Sequence, residues 1–176
     1  MLQAFVQNLS QREAWLCRRV VAWNGKRAVD RLMYVASRSG DGQFYAILGL
    51  VVGVTDHEMA RRFLPAGLLA FALQVPLYLL VKRKVKRPRP FEQIPGLQHL
   101  IAPPDRFSFP SGHTAGAGLM ATLISAYYPA GAMVSCLWAG VIAFSRVYNG
   151  VHYPTDVLAG ALLGIACAQT GMALVG

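Results

Sequence analysis

From Phe44 onward the chain alternates long apolar blocks with short polar stretches, whereas its first forty residues mix bases with large hydrophobics. Phe44 to Val54 is continuously apolar but covers only about 17 Å as a helix, so flanking residues must help it cross a hydrocarbon core of about 30 Å. Phe63 to Val81 is long enough to span, with Pro65 near its start and Pro76 predicted to kink it. Thr114 to Tyr128 and Ala130 to Ser145 are two further spans divided by Pro129-Ala130-Gly131, which reads as a tight hairpin. Val157 to Val175 is the last. Gly116, Gly118, Gly140, Gly160 and Gly164 are small residues of the kind that let membrane helices approach closely. The pattern predicts an all-α bundle of about five membrane helices. Two spans separate loop 83–109 from loop 146–156, so both lie on one side, together with everything before Phe44.

Ahead of the spans, Ser10 followed by Glu13 has the form of a capping box, and Trp15, Leu16, Val20 and Trp23 then recur at roughly helical spacing among Arg12, Arg18 and Arg19. This predicts a basic amphipathic helix at the membrane surface. A solvated helix packed on the domain is the alternative reading. Ala28 to Ser37 is a second short helix, ended by Ser39-Gly40-Asp41-Gly42. The chain thus divides into an interfacial segment, 1–42, and a membrane domain, 43–176.

Composition supports lipid as the solvent. The chain is 55% hydrophobic and 14% charged, against about 25% charged in an ordinary soluble protein. A 19.1 kDa protein has too much surface to cover with so few charges. The formal net charge of +9 would suit nucleic acid, but no groove-reading motif accompanies the bases, which sit beside apolar segments. Phosphorylated lipid headgroups are the better anionic partner. Cys17, Cys136 and Cys167 are widely spaced without a Cys-x-x-Cys pattern, which argues for packing residues rather than disulfides or a thiolate metal site. Polar residues from Gln3 to Glu13 interrupt any apolar leader, so no cleaved signal peptide is expected.

Three polar stretches carry candidate chemistry. The first is the basic run Lys82 to Arg89, which alone reads as a polybasic anchor. The second, Phe109-Pro110-Ser111-Gly112-His113, opens an apolar helix, where unpaired N–H groups and the helix dipole form an anion site. Gly112 lets an oxyanion approach the backbone, and His113 stands within reach. The third runs from Ser145 to Asp156 and contains Arg146 and His152. Ionisable groups at the edge of a membrane segment are costly and default to a functional reading. Pro154 suits a first helical turn, which would place Asp156 to accept a hydrogen bond from one imidazole nitrogen of His152 and leave the other free to attack. No metal is expected, because Lys82, Arg89 and Arg146 would repel a cation.

Taken together, the three stretches resemble the tripartite signature of the type 2 phosphatidic acid phosphatases. The matching positions are Lys82, then six residues before Arg89-Pro90; Pro110-Ser111-Gly112-His113; and Ser145-Arg146, then five residues before His152 and three more before Asp156. The resemblance covers about residues 40 to 175. It implies a helical bundle, a phosphohistidine intermediate and no cofactor. It further implies that His152 is the nucleophile, Asp156 its orienting partner and His113 the general acid and then base. Lys82, Arg89, Ser111, Gly112 and Arg146 would hold the phosphoryl oxygens. Tyr148, Asn149 and Tyr153 would shape the pocket without reacting, and His57 and His99 would lie outside it.

The expected substrate is a lipid phosphate or pyrophosphate: phosphatidate, phosphatidylglycerophosphate, a polyprenyl phosphate or pyrophosphate, or a phosphorylated lipid A. A transporter or structural membrane protein would explain the helices but not the gathered histidines, aspartate and bases. Vanadium haloperoxidases share the signature but are soluble and larger. An integral protein of the bacterial inner membrane is expected. The bases before Phe44 favour a cytoplasmic active site by the positive-inside rule, while the resemblance to bacterial members implies the periplasmic face, which is the expectation adopted.

Overall fold

The computed structural model describes residues 2–176. Its helices are α1 (Leu2–Val21), α2 (Arg27–Arg38), α3 (Gly42–Thr55), α4 (His57–Val85), the single turn α5 (Pro90–Gln93), α6 (Gly112–Tyr127), α7 (Ala132–Tyr148) and α8 (Pro154–Val175). No strand occurs among the described residues. Every apolar block of the sequence is a helix, and polar side chains cap the starts of α4, α6 and α8. Asp56 accepts the Met59 N–H at 3.1 Å and starts α4 six residues before the apolar block. Lys86, left-handed at φ 51°, stops α4 after the basic turn. Pro65 and Pro76 both lie inside this 29-residue helix without ending it. Pro129 to Gly131 forms a short 3₁₀ turn between α6 and α7, as the hairpin reading requires.

The Ser10–Glu13 pattern does not start a helix. Both residues lie within the 20-residue α1, where Ser10 Oγ donates back to the Val6 carbonyl at 2.8 Å. Glu13 turns away from its own helix, toward Arg87 and Thr155. A tertiary ion pair therefore accounts for the two residues better than a cap does.

The bundle is organised around α6, whose Ala115, Leu119 and Leu123 are fully enclosed. Phe63, Ala66 and Ala70 of α4 and Cys167 and Ala168 of α8 complete the core. Glycine permits this closeness: a Cβ on Gly164 would land on the Ala115 carbonyl oxygen, and one on Gly160 on that of Ser111. Gly118 faces Ala161, and Gly116 faces Tyr45. Gly140 has no neighbour in reach, so its predicted packing role is not seen. Cys17 and Cys167 are packing residues as expected, but Cys136 is exposed on α7, on the side that also carries Met133 and Leu137.

The outward faces of α3, α4 and α7 carry exposed apolar residues. Leu50, Leu68 and Met133 are 68%, 72% and 73% exposed, while Asp156, Arg89 and Arg146 are almost fully enclosed. Apolar residues outside and ionisable ones inside is the distribution expected where lipid is the solvent. Three segments, His57–Gln93, Pro129–Tyr148 and Pro154–Val175, are long and apolar enough to cross a membrane; α3 is a shorter apolar helix. The C-terminal ends of α4 and α7, the N-terminal ends of α6 and α8, and the α2–α3 junction meet at one end of the bundle. That end holds the polar chemistry.

Candidate active site

Each functional side chain is fixed by a helix end. Ser111 is the N-cap of α6, its Oγ 3.4 Å from the Thr114 N–H and 3.0 Å from Thr114 Oγ1. Its own N–H donates to the Asp156 carbonyl at 2.9 Å, which ties the start of α6 to the start of α8. Gly112 follows, with the Tyr78 ring 3.4 Å from where a Cβ would lie. His113 Nε2 sits 2.8 Å from Asp41 Oδ1, a residue of the α2–α3 junction.

At the start of α8, Pro154 occupies the first helical position and Asp156 reaches back to the N-cap, where its Oδ2 accepts the Tyr153 N–H at 2.8 Å. Its Oδ1 accepts from Arg87 Nη1 at 2.7 Å. His152 Nδ1 lies 3.6 Å from Asp156 Oδ2. That is an ion-pair distance but too long for a hydrogen bond, and Nδ1 is buried without another partner.

The bases arrive from three other places: the last turn of α4, the N-cap of α5 and the last turn of α7. Lys82, in the last turn of α4, holds both oxygens of Asp105 at 2.9 and 2.7 Å. Arg89 donates to the same carboxylate at 2.8 Å, to the Asp105 carbonyl and, at 2.7 Å, to the Val151 carbonyl just before His152. Arg146, at the end of α7, donates through Nη1 to Ser37 Oγ, and its Nε is buried with no partner.

These groups line one cavity of about 300 Å³, together with Gln74, Tyr78 and Gly112. Lys82, Arg89, Arg146, His113 and His152 face it against only two carboxylates, Asp41 and Asp105. Burial, then Arg146, Arg89 and Lys82, hold His152 well below the ordinary imidazole range. Burial opposes ionisation of Asp105, but its bonds to Lys82 and the charges of Lys82 and Arg89 outweigh this and hold it below the usual carboxylate range. A neutral imidazole beside fixed cations suits a nucleophile attacking an anionic phosphorus centre. No three His, Cys, Asp or Glu side chains gather at metal-holding distance among the described residues.

Seven of the eight residues singled out from the sequence meet here: Lys82, Arg89, Gly112, His113, Arg146 and His152 on the cavity wall, with Asp156 behind His152. Ser111 is the eighth, and it is turned into the cap of α6 rather than lining the cavity. Tyr148, Asn149 and Tyr153 are enclosed but do not line it either: Tyr148 bonds to Asp30, and Tyr153 lies under Arg87. His99 stacks on Phe91 at 4.1 Å, away from the cavity. Sequence reading missed Asp41, Asp105 and Arg87. Asp41 looked like part of a helix breaker, and Arg87 like one base among many.

A helical bundle with apolar flanks and a cationic, histidine-bearing cavity at one end defines an integral membrane protein that handles an anionic group. The chain belongs to the PAP2 superfamily, whose model matches residues 65–176. It is 32% identical to a decaprenylphosphoryl-5-phosphoribose phosphatase of Mycobacterium tuberculosis over 142 residues, 77% of each chain. It is also 32% identical to a bacitracin transport permease protein of Bacillus licheniformis over 126 residues, 71% of this chain and 62% of that one. The crystal structure of LpxE from Aquifex aeolicus superposes with a TM-score of 0.79 at 28% identity, covering 90% of this chain and 93% of that one. The family match begins within α4, so Asp41 and the whole of α1 precede it.

Proposed function

We propose that the protein is a membrane phosphatase that hydrolyses a lipid phosphate monoester or pyrophosphate through a phosphohistidine, without a metal. The observation that carries the reading is the pairing of two spaces. The cationic cavity shares Gly42, Tyr45 and Phe71 with an apolar groove of about 530 Å³ that runs between α3 and α4 past Leu50, Leu64 and Met120. A headgroup phosphate suits the first, and a hydrocarbon chain suits the second.

In this reading the substrate phosphate replaces Asp105 at Lys82 and Arg89 and satisfies the unpartnered Nε of Arg146, while Gly112 lets it approach the N-terminus of α6. Ser111 contributes by holding that terminus in place. The lone pair of His152 Nε2 attacks phosphorus as the bond to the lipid oxygen breaks. The electron pair leaves on that oxygen, which takes a proton from His113. Asp156 orients the imidazole and balances its developing positive charge. Water then attacks the phosphohistidine, His113 removes its proton, the N–P bond returns its pair to His152, and phosphate departs.

The same reading takes α3, α4, α6, α7 and α8 as five membrane crossings and residues 1–42 as a segment lying at the interface, with Trp15 and Trp23 outward. It sets the active site on the periplasmic face of a bacterial inner membrane. The similarity to a phosphatase of a decaprenyl-linked substrate makes polyprenyl phosphates the first lipids to try. Detergent-purified protein should release phosphate from at least one of a polyprenyl phosphate or pyrophosphate, phosphatidate, phosphatidylglycerophosphate or lipid A, equally with and without a chelator. Release that needs added Mg²⁺ or Zn²⁺ would remove the metal-free step. Vanadate-dependent bromination without phosphate release would replace the reading altogether.

A further inference from the structure

Behind the nucleophile lies a second ionic cluster, of which the reaction above uses only Asp156. Arg87 is 1% exposed and commits four of its five donors: Nε to Ser10 Oγ at 3.0 Å, Nη1 to Thr155 Oγ1 and Asp156 Oδ1 at 2.7 Å each, and Nη2 to Glu13 Oε2 at 2.6 Å. The face of the guanidinium stacks on the Tyr153 ring, 3.9 Å from its centroid. Glu13 is as fully engaged. Its Oε1 accepts the Thr155 N–H at 2.7 Å and its Oε2 the Thr155 hydroxyl at 2.7 Å, so a side chain of α1 satisfies a free donor in the first turn of α8.

Arg87 does not line the cavity and has no free fork to offer a phosphate. What it does hold is the far oxygen of Asp156. The near oxygen is fixed by the Tyr153 N–H and faces His152. Two anchors on two oxygens set the plane of the carboxylate; one anchor would leave it free to rotate about that oxygen. An unpaired oxygen at this depth would also be costly, because a buried carboxylate needs its counter-charge. Two carboxylates share this single guanidinium, so Asp156 is neutralised only in part. A cation at 2.7 Å favours the ionised carboxylate, the form that can balance a cationic imidazole.

We propose that Arg87 and Glu13 are positioning residues for the nucleophile: Arg87 clamps Asp156 toward His152, and Glu13 aligns Arg87, which makes the N-terminal helix a working part of the reaction centre. The proposal rests on the phosphatase reading. Loss of the carboxylate partner in a serine hydrolase triad costs roughly 10⁴ in turnover, and a residue acting through that partner should cost less. About 10- to 100-fold is expected, the range seen for groups that orient a metal ligand.

The test is steady-state kinetics of Arg87→Met and Glu13→Gln, each checked for folding by thermal unfolding in detergent, with both the best lipid and p-nitrophenyl phosphate. Arg87→Met should lower kcat about 10- to 100-fold with KM within about twofold of wild type, by the same factor on both substrates, because it acts on the nucleophile and not on the leaving group. Glu13→Gln should lower kcat by about threefold or more with KM unchanged. Adding it to Arg87→Met should cost little further, as expected of residues acting in series. If Arg87→Met does not fold, Glu13→Gln decides alone. Wild-type kcat in a folded variant, or a loss expressed mainly in KM, would overturn the proposal while wild-type turnover still upheld the phosphatase reading. No turnover by wild type on any substrate would instead bring down that reading.

Discussion

His113 has the chemistry most sensitive to what fills the cavity. Before substrate binds, its Nε2 pairs with Asp41 at 2.8 Å in a cavity that also holds the cations Lys82, Arg89 and Arg146. A general acid must carry its proton, so activity should fall as pH rises through the His113 pKa. A bound phosphate dianion favours the protonated imidazole and moves that limb upward. The limb in kcat/KM reports free enzyme and the limb in kcat reports the complex, so the kcat limb should lie at higher pH. Asp41→Asn removes the group that supports the proton and should move the kcat/KM limb to lower pH, with kcat/KM near neutrality falling about tenfold for each pH unit the limb travels. Coincident limbs in wild type, or an upward displacement in Asp41→Asn, would exclude His113 as the acid. The signature residues were legible because motif spacing fixes them locally at helix ends. Asp41 was not, because its partner lies 72 residues away. The same holds for Asp105, 23 residues from Lys82, and for Arg87, 69 from Asp156.

At the level of elements, the contact of α6 with α8 sets the distance between the two histidine-bearing turns. Gly164 leaves no room for a Cβ against the Ala115 backbone, whereas Gly140 on α7 faces open space. Gly164→Val should therefore destabilise the protein by about 3 kcal/mol, the upper part of the usual overpacking range, and should lower activity in the fraction that stays folded. Gly140→Ala should leave both unchanged or raise stability slightly. Thermal unfolding in detergent measures the first effect, and equal melting of the two variants would contradict the packing account. Hydropathy predicted the bundle helices α3, α4, α6, α7 and α8 and the hairpin at Pro129, because apolar blocks and breakers are properties of contiguous residues. It placed the ends within a few residues of their observed positions, except where a polar cap such as Asp56 extended a helix. Ser10 and Glu13 misled for the converse reason: the spacing that marks a local cap is also one helical turn, and here it serves a contact with Arg87 on a distant part of the chain.

For the whole molecule, every catalytic candidate sits at one end of the bundle, so a single accessibility measurement locates the chemistry. Gln98 is exposed in the loop on that side. A Gln98→Cys variant in a Cys136→Ser background should react with an impermeant thiol reagent in intact cells. Reaction only after lysis would move the active site to the cytoplasmic face. The central claim, that phosphate passes through His152, is tested most directly by rapid quench with a labelled substrate. Wild type should form an acid-labile, base-stable phosphoenzyme, and His152→Ala should form none, because the acceptor nitrogen is gone. His113→Ala should still be phosphorylated by p-nitrophenyl phosphate, whose leaving group needs little protonation, and should accumulate the phosphoenzyme because no base activates water. Label bound covalently to His152→Ala, or absent from wild type and His113→Ala during turnover, would contradict the account.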